Sequence, residues 1–317
     1  MTNKKGFEFS FALLFAIIVG AAIIFFAIYA TSKLIFTEKK IQETEAGKEF
    51  GILLNPIETS LEDAKTAKIS FSSDTRFVND CSEAGNFGKQ GIRIFIKSSI
   101  GSEWASLGGQ SNFFNKYIFS ASTVEGRNMI VLSKQFRMPF KVADLIFIWS
   151  ANDKYCFVGA IPSDFENEIK ELNLENVEIN RTDCANGGKK VCFGPVANAG
   201  CNITVNLAAK AVTKDRRTIY YTDEFDYSLL YGAIFADSVI YECQVRRLMH
   251  RASELDLLYL DKTDYLSTRG CSSGLKVGLS ALANESAEVQ SSFGLRQIEA
   301  GAKILEGQND LLSCKLF

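Results

Sequence analysis

The sequence predicts an α+β protein with an N-terminal transmembrane helix and helical stalk, a β-rich central region and a helical last third, cross-linked by disulfides. Three observations predict this fold: an uncharged apolar run from Phe9 to Ser32, alternation of apolar and polar residues through the middle, and helical periodicity after residue 223. A period of two is typical of half-buried strands, and apolar residues three or four apart are typical of helices.

Composition limits the possible functions. The chain has 317 residues, of which 47% are hydrophobic and 23% are charged, which is typical of a folded protein. The net charge of -2 gives no basic field, so we expect no nucleic-acid partner. A single histidine, His250, excludes histidine-rich metal sites, and we expect no cofactor.

The changes of pattern divide the chain into five segments. They are a cytosolic stub (1–8), the transmembrane helix (9–32), a helical stalk (33–68), the β-rich region (69–222) and a helical region packed on it (223–317). As a helix, the apolar run would cover roughly 36 Å, more than the hydrocarbon core of about 30 Å. A cleaved secretory signal is the alternative, although its apolar part usually has about 7 to 15 residues. The lipid bilayer is therefore the first expected partner.

Eight cysteines indicate the side of the membrane on which the rest of the chain lies. An even number without C-x-x-C spacing favours disulfides in an oxidising exterior, and the alternative is a cytosolic domain with buried thiols. We therefore predict a single-pass protein of the cell membrane with its C-terminal domain outside. Sequons at Asn180, Asn202 and Asn284 agree with this location as possible glycosylation sites. The cysteines are Cys81, Cys156, Cys184, Cys192, Cys201, Cys243, Cys271 and Cys314.

The stalk and the β-rich region have several local signals. Asn55-Pro56 predicts the end of one helix, and a second helix is expected from Ile57 to Ala67. Glu125-Gly126 predicts a turn between two strands. Strand patterns cover residues 91–97, 116–121, 128–133, 144–150, 155–160, 177–180, 202–207 and 218–222.

Turn and cap signals connect these strands. Asn152-Asp153 predicts a hairpin of strands 144–150 and 155–160, which are apolar on both faces and therefore central. Ser163 and Glu166 have the spacing of a capping box at the start of a short helix that ends near Leu172. Cys184 and Cys192 flank a glycine turn and could close a small hairpin.

The last third has helical periodicity over residues 237–262 and 285–312, with a short helix possible over 275–283. Asp237 is the expected N-cap of the first of these helices. Cys243, Cys271 and Cys314 lie here, and Cys201 could join them.

The first residues resemble a known processing site. Lys4-Lys5-Gly6-Phe7 before a long apolar helix is similar to the start of type IV pilin-like proteins and of archaeal proteins with class III signal peptides. The resemblance implies that a peptidase cuts after Gly6, that Phe7 becomes the N-terminus, and that the helix anchors the subunit. In that family an acidic residue near the new N-terminus pairs with a neighbouring subunit, and Glu8 is the candidate here. The overall layout looks like that of uncharacterised archaeal surface proteins.

Three groups of residues could support chemistry. Asp223, Glu224 and Asp226 could act as acid and base in a hydrolase or hold Ca²⁺, and the alternative is loop capping. Ser272 lies in a G-x-S-x-G frame without the strand and the following histidine that a hydrolase needs. His250 lies among three arginines that could also bind a phosphate or an acidic partner.

We therefore expect a membrane-anchored cell-surface protein with a structural or interaction role, such as a pilin-like subunit. Its expected partners are other copies of itself or other surface proteins. Two alternatives are an anchored hydrolase with a pocket around Asp223, Glu224 and Asp226, and a sensor or assembly factor that binds through an exposed apolar patch in the last third.

Overall fold

The computed structural model of the chain describes residues 11–54, 64–97, 104, 109–174, 176–179, 188–195 and 200–317. Among these residues the chain forms a long N-terminal helix, two six-stranded sheets and a set of helices that pack on them. The α+β class and the N-terminal apolar helix predicted from the sequence are thus confirmed.

The N-terminal helix α1 runs from Phe11 to Leu53 without interruption. It joins the predicted transmembrane helix to most of the predicted stalk, and it ends close to the predicted stop at Asn55-Pro56, which lies outside the described residues. The predicted second helix is wrong in its last residues, because strand β1 begins at Ala64. The predicted stub, 1–8, also lies outside the described residues.

The first sheet has the strand order β3-β2-β1-β5-β6-β4. Neighbouring strands are antiparallel except β6 and β4, which are parallel. The predicted Glu125-Gly126 turn is wrong, because both residues lie inside β5, where Gly126 pairs with Thr75. The strands are β1 Ala64–Ser82, β2 Lys89–Ile96, β3 Ser111–Phe113, β4 Tyr117–Ser120, β5 Thr123–Arg137 and β6 Lys141–Ser150.

The second sheet has the order β12-β11-β10-β9-β7-β8, with β10, β9, β7 and β8 parallel. Helix α2, Ser163–Leu172, connects β7 to β8 and confirms the predicted strand-helix-strand unit. Its capping box is absent, because Ser163 makes no side-chain cap and Glu166 pairs with Lys170 at 2.6 Å. The strands are β7 Tyr155–Gly159, β8 Val177–Ile179, β9 Lys189–Phe193, β10 Ile203–Asn206, β11 Ala211–Lys214 and β12 Arg217–Tyr220.

The predicted hairpin of strands 144–150 and 155–160 is wrong. Both strands are central, as their apolar faces predict, but β6 belongs to the first sheet and β7 to the second. Ala151 and Asn152, directly after β6, make a turn that carries the chain from one sheet to the other instead of folding it back. Asn176 helps to fix this crossing by accepting a hydrogen bond from the Trp149 indole nitrogen at 3.1 Å.

The helices after the sheets are α3 Ser228–Phe235, α4 Ser238–Thr268, α5 Lys276–Ala287 and α6 Leu295–Asp310. The predicted helix over 285–312 is two helices, because α5 ends at Ala287 and a short 3-10 turn precedes α6. Helix α3 is buried all round, and α4 packs against β4, β1 and β6. A large core joins both sheets with α2 to α6, and a smaller core lies between the first sheet and the end of α1.

The structure contains three disulfides whose cysteines are both described. They join Cys81 to Cys243, Cys192 to Cys201, and Cys271 to Cys314. The predicted Cys184–Cys192 hairpin is therefore wrong, and Cys201 does not join the cysteines of the last third. Cys156 is also disulfide-bonded, and Cys184 lies outside the described residues.

Candidate functional site

Helix α1 carries the longest exposed apolar surface of the described chain. Residues Leu14–Leu34 are long and apolar enough to cross a membrane, and none of this stretch is buried in the protein. Length and composition do not separate a membrane span from a signal sequence, which has the same character. In water, exposed side chains such as Phe25 and Phe26 would be unfavourable by about 25 cal/mol per Å² of apolar surface.

The other end of α1 packs directly on the first sheet. The ring of Phe50 lies 5.2 Å from Phe77 and 6.3 Å from Phe71, measured between ring centroids, and Leu54 is fully buried. Gly51 allows this close approach, because a methyl group on it would overlap the ring of Phe113. Gly47 is also close to the sheet, because a methyl group on it would lie 3.1 Å from Ser111 Oγ, and the apolar stretch is part of the same helix.

The predicted acidic cluster is an ion-pair network built around a lysine. The Lys210 ammonium lies 2.6 Å from Asp223, 3.2 Å from Glu224 and 2.9 Å from Glu299. Lys303 forms a second ion pair with Glu224. Three carboxylates are close enough to hold a metal ion, but the lysine supplies the positive charge at their centre.

The electrostatics of this cluster favour its charged form. Burial alone would lower the pKa of Lys210, but its hydrogen bonds to Asp223, Glu299 and Glu224 outweigh this effect and raise it. Lys303 and then Lys210 lower the pKa of Glu224. Glu299 also accepts hydrogen bonds from the backbone nitrogens of Asp223 and Glu224, both at 3.2 Å. The cluster therefore fastens the loop before α3 to α6.

Asp226 lies apart from this cluster and has a structural role. It accepts hydrogen bonds from the backbone nitrogens of Ser228 at 2.6 Å and Arg137 at 3.3 Å. Burial raises the pKa of this carboxyl group. Asp226 thus fastens the first turn of α3 to the end of β5, which is the loop-capping alternative considered for this sequence. Within the described part of the chain, no ion pair joins Asp226 to Lys210 or Lys303, which bind Asp223 and Glu224.

The other sequence candidates do not assemble a site either. His250 is exposed on α4, and its three neighbouring arginines point to different partners. Arg246 binds Glu83 and Arg251 donates to the Val142 carbonyl oxygen at 2.7 Å, so they do not converge on one ligand. Ser272 is exposed in the turn between α4 and α5, which follows a helix and not a strand.

Sequence reasoning missed a buried polar network around Arg247. Arg247 is 1% exposed and donates to the carbonyl oxygens of Phe87, Lys116 and Phe114 at 3.0 to 3.2 Å. Gln244, one turn earlier on α4, binds the Gln90 side chain at 2.5 Å. Burial lowers the pKa of Arg247 to about 10. The only signal in the sequence is that both residues share the buried face of α4 with Leu248.

A shallow apolar groove lies between α5 and α6. Its volume is about 310 Å³, and its floor is formed by small residues such as Gly278 and Gly301. Val277 and Ile304 on its edges are 82% and 64% exposed. Such a surface is suited to packing against another apolar side chain or helix.

Comparison with known proteins gives no assignment for this arrangement. No protein-family model, no curated protein and no solved structure matches the chain.

Proposed function

We propose that this chain is a membrane-anchored cell-surface protein whose disulfide-bonded domain has a structural or interaction role outside the cell. The observation that carries the proposal is α1. Its residues Leu14–Leu34 have no place in either core, while its last turns are part of the smaller core. Lipid is the medium that would solvate the apolar part, and disulfides persist in oxidising compartments.

A matched pair of substitutions tests the anchor. Ile24 lies at the middle of the apolar stretch and is 61% exposed, and Ile52, which lies beyond the stretch on the same helix, is also 61% exposed. Arginine at the centre of a span costs about 2.5–3.5 kcal/mol on insertion scales. We expect Ile24→Arg to reduce the fraction of full-length protein that stays in membranes after carbonate extraction, and Ile52→Arg to leave it unchanged.

Protease treatment of intact cells tests the side of the membrane. We expect the protease to digest the folded domain on intact cells. We also expect the mass of the protein to be lower by about two daltons for each disulfide. A chain that is extracted by carbonate, or that is protected in intact cells with reduced cysteines, contradicts the proposal.

The pilin-like form of this role is tested by the intact mass of the protein isolated from its own membranes. A mature chain that begins at Phe7 supports cleavage after Gly6 and a subunit that packs through its N-terminal helix. A chain that retains residues 1–6 supports a simple anchor.

The groove between α5 and α6 favours a second candidate, a sensor or assembly factor that binds a partner with its last helices. A photo-crosslinker at Ile304 tests it, with Arg296 as the control because it is exposed on the same helix. A defined crosslinked product from position 304 alone supports the candidate. The hydrolase alternative gains no support, because Lys210 and Lys303 neutralise Asp223 and Glu224 and Asp226 lies elsewhere.

A further inference from the structure

We propose that Asn202 is the residue of this protein that carries an N-linked glycan. The inference rests on the proposed function, because the modifying reaction takes place on the exterior side of the membrane. Sequons alone do not distinguish Asn202 from Asn284, since both have a hydroxyl residue two positions later. The fold does distinguish them.

The side chain of Asn202 is held with its reactive nitrogen free. Its Oδ1 accepts a hydrogen bond from the backbone nitrogen of Lys190 at 2.8 Å, and its own backbone nitrogen donates to the Lys190 carbonyl oxygen at 3.0 Å. Because a backbone N–H must be met by an oxygen, this pairing fixes which side-chain atom is Oδ1. Within the described residues Nδ2 makes no hydrogen bond, and Asn202 is exposed.

The hydroxyl residue of the sequon is also exposed. Thr204 is exposed on β10, whereas its neighbours Ile203 and Val205 are buried. Alternation along β10 puts Thr204 on the outer face of the second sheet, opposite the large core that holds Ile203 and Val205, and Asn202, directly before β10, is exposed as well. Thr204 pairs in register with Thr213, which is also exposed, so no large side chain stands over it on that neighbouring strand.

The second described sequon has the opposite arrangement. Asn284 is exposed, but it lies inside helix α5 and its hydroxyl residue, Ser286, is 1% exposed. An enzyme that reads both side chains on the folded domain cannot reach Ser286 without unfolding α5. Asn180, the third sequon, lies outside the described residues.

The reaction requires a lipid-linked saccharide as glycosyl donor. The Nδ2 atom of Asn202 forms a bond to the anomeric carbon, and the bond from that carbon to the lipid phosphate breaks. Nδ2 loses one proton, which the solvent or the released lipid phosphate takes up, and the lipid phosphate leaves with the electron pair of the broken bond. Neither oxidant nor reductant is needed, and the hydroxyl of Thr204 remains unchanged.

Peptide mass spectrometry of the full chain, purified from its own membranes, tests the assignment. Trypsin places Asn202 in peptide 191–210 and Asn284 in peptide 277–296, so the two sites are read separately. We expect peptide 191–210 to carry a saccharide that fragment ions locate on Asn202, and peptide 277–296 to be unmodified. Thr204→Val should abolish the addition, and Thr213→Val, on the same outer face, should retain it.

Two results overturn the inference without touching the proposed function. One is an unmodified peptide 191–210 in a chain that is membrane-bound, exposed to protease and disulfide-bonded, which refutes the glycan and leaves the proposed function standing. The other is equal modification of both peptides, which shows that the fold does not select the site. A cytosolic chain with reduced cysteines refutes the proposed function and the glycan together.

Discussion

Buried ionisable residues in this domain differ in the hydrogen bonds that compensate their burial. Arg247 donates to backbone carbonyl oxygens, and Lys214 donates to those of Ala233 and Ile234 at the end of α3. Burial lowers the pKa of Lys214 to about 8 even so. Asp256 on α4 is fully buried, and neither of its carboxyl oxygens has a hydrogen-bond partner among the described residues. The cost of burying it is therefore the least compensated of the three.

Asp256 makes stability depend on pH. Burial raises its pKa to about 8, against about 3.9 in an unfolded chain. Between these values the folded state holds a proton that the unfolded state releases, so the free energy of unfolding falls as pH rises, by up to about 1.4 kcal/mol per pH unit. Above the pKa of Asp256 in the folded state, the full loss of stability is reached, and below about pH 4 none of this loss remains.

We therefore expect Asp256→Asn to stabilise the protein increasingly from pH 5 to pH 8. Asparagine has nearly the same shape and cannot ionise. Chemical unfolding of both proteins at several pH values gives the difference, and Asp261→Asn, at an exposed position of the same helix, is the control. A difference between Asp256→Asn and the parent protein that does not change with pH would show that Asp256 is not held protonated.

At the scale of elements, the sequence predicts what each segment is better than what it pairs with. Strand β2 was predicted from the alternation of Ile92, Ile94 and Ile96, of which Ile92 and Ile94 are buried and Ile96, at the end of the strand, is 43% exposed. The sequence could not predict that β6 and β7 belong to different sheets, because an apolar strand is equally suited to either of them. The capping box at Ser163 is absent because the helix begins at Ser163 itself, with Pro162 in the N-cap position, and Glu166 pairs with Lys170.

The junction of α1 with the first sheet gives a prediction at this scale. We expect Gly51→Val to destabilise the domain by about 1–3 kcal/mol, the usual cost of overpacking, because the new side chain overlaps the Phe113 ring. The substitution should also increase hydrogen exchange in the last turns of α1. Gly20→Ala is the control, because a methyl group there meets no atom within 4 Å.

A second variant separates overlap from helix propensity. Phe113→Ala removes the ring, so it should lower the cost of Gly51→Val when the two are combined. Suppose that Gly51→Val lowers the free energy of unfolding equally in the parent protein and in Phe113→Ala. The glycine then does not accommodate the Phe113 ring, and the close packing of α1 on the sheet is refuted.

At the scale of the whole molecule, the even number of cysteines predicted disulfides but did not predict which cysteines pair. The pairing depends on which strand and helix meet, as the Cys81 and Cys243 pair shows. The acidic cluster illustrates the same limit, because Glu299 and Lys210 complete it from distant parts of the sequence. The sequence names the carboxylates of the 223–226 loop, but only the fold shows that a lysine lies at their centre.

The disulfide between Cys81 and Cys243 fastens the first sheet to α4, and its removal tests how much it stabilises the whole domain. It spans 162 residues of sequence, against 9 for Cys192–Cys201. In the chain-entropy account, loops of these lengths correspond to about 5 and about 2.6 kcal/mol. The first value is an upper limit here, because Gln90, opposite Cys81 in the sheet, still binds Gln244 of α4.

We therefore expect replacement of Cys81 and Cys243 by alanine to lower the midpoint of thermal unfolding more than replacement of Cys192 and Cys201. Full-length protein in detergent without reductant is the sample, and its other disulfides stay intact in both variants. A long cross-link restricts the unfolded chain more than a short one, which is why the order matters more than either value. An equal or reversed order would mean that the buried network, and not the disulfide, holds α4 on the first sheet.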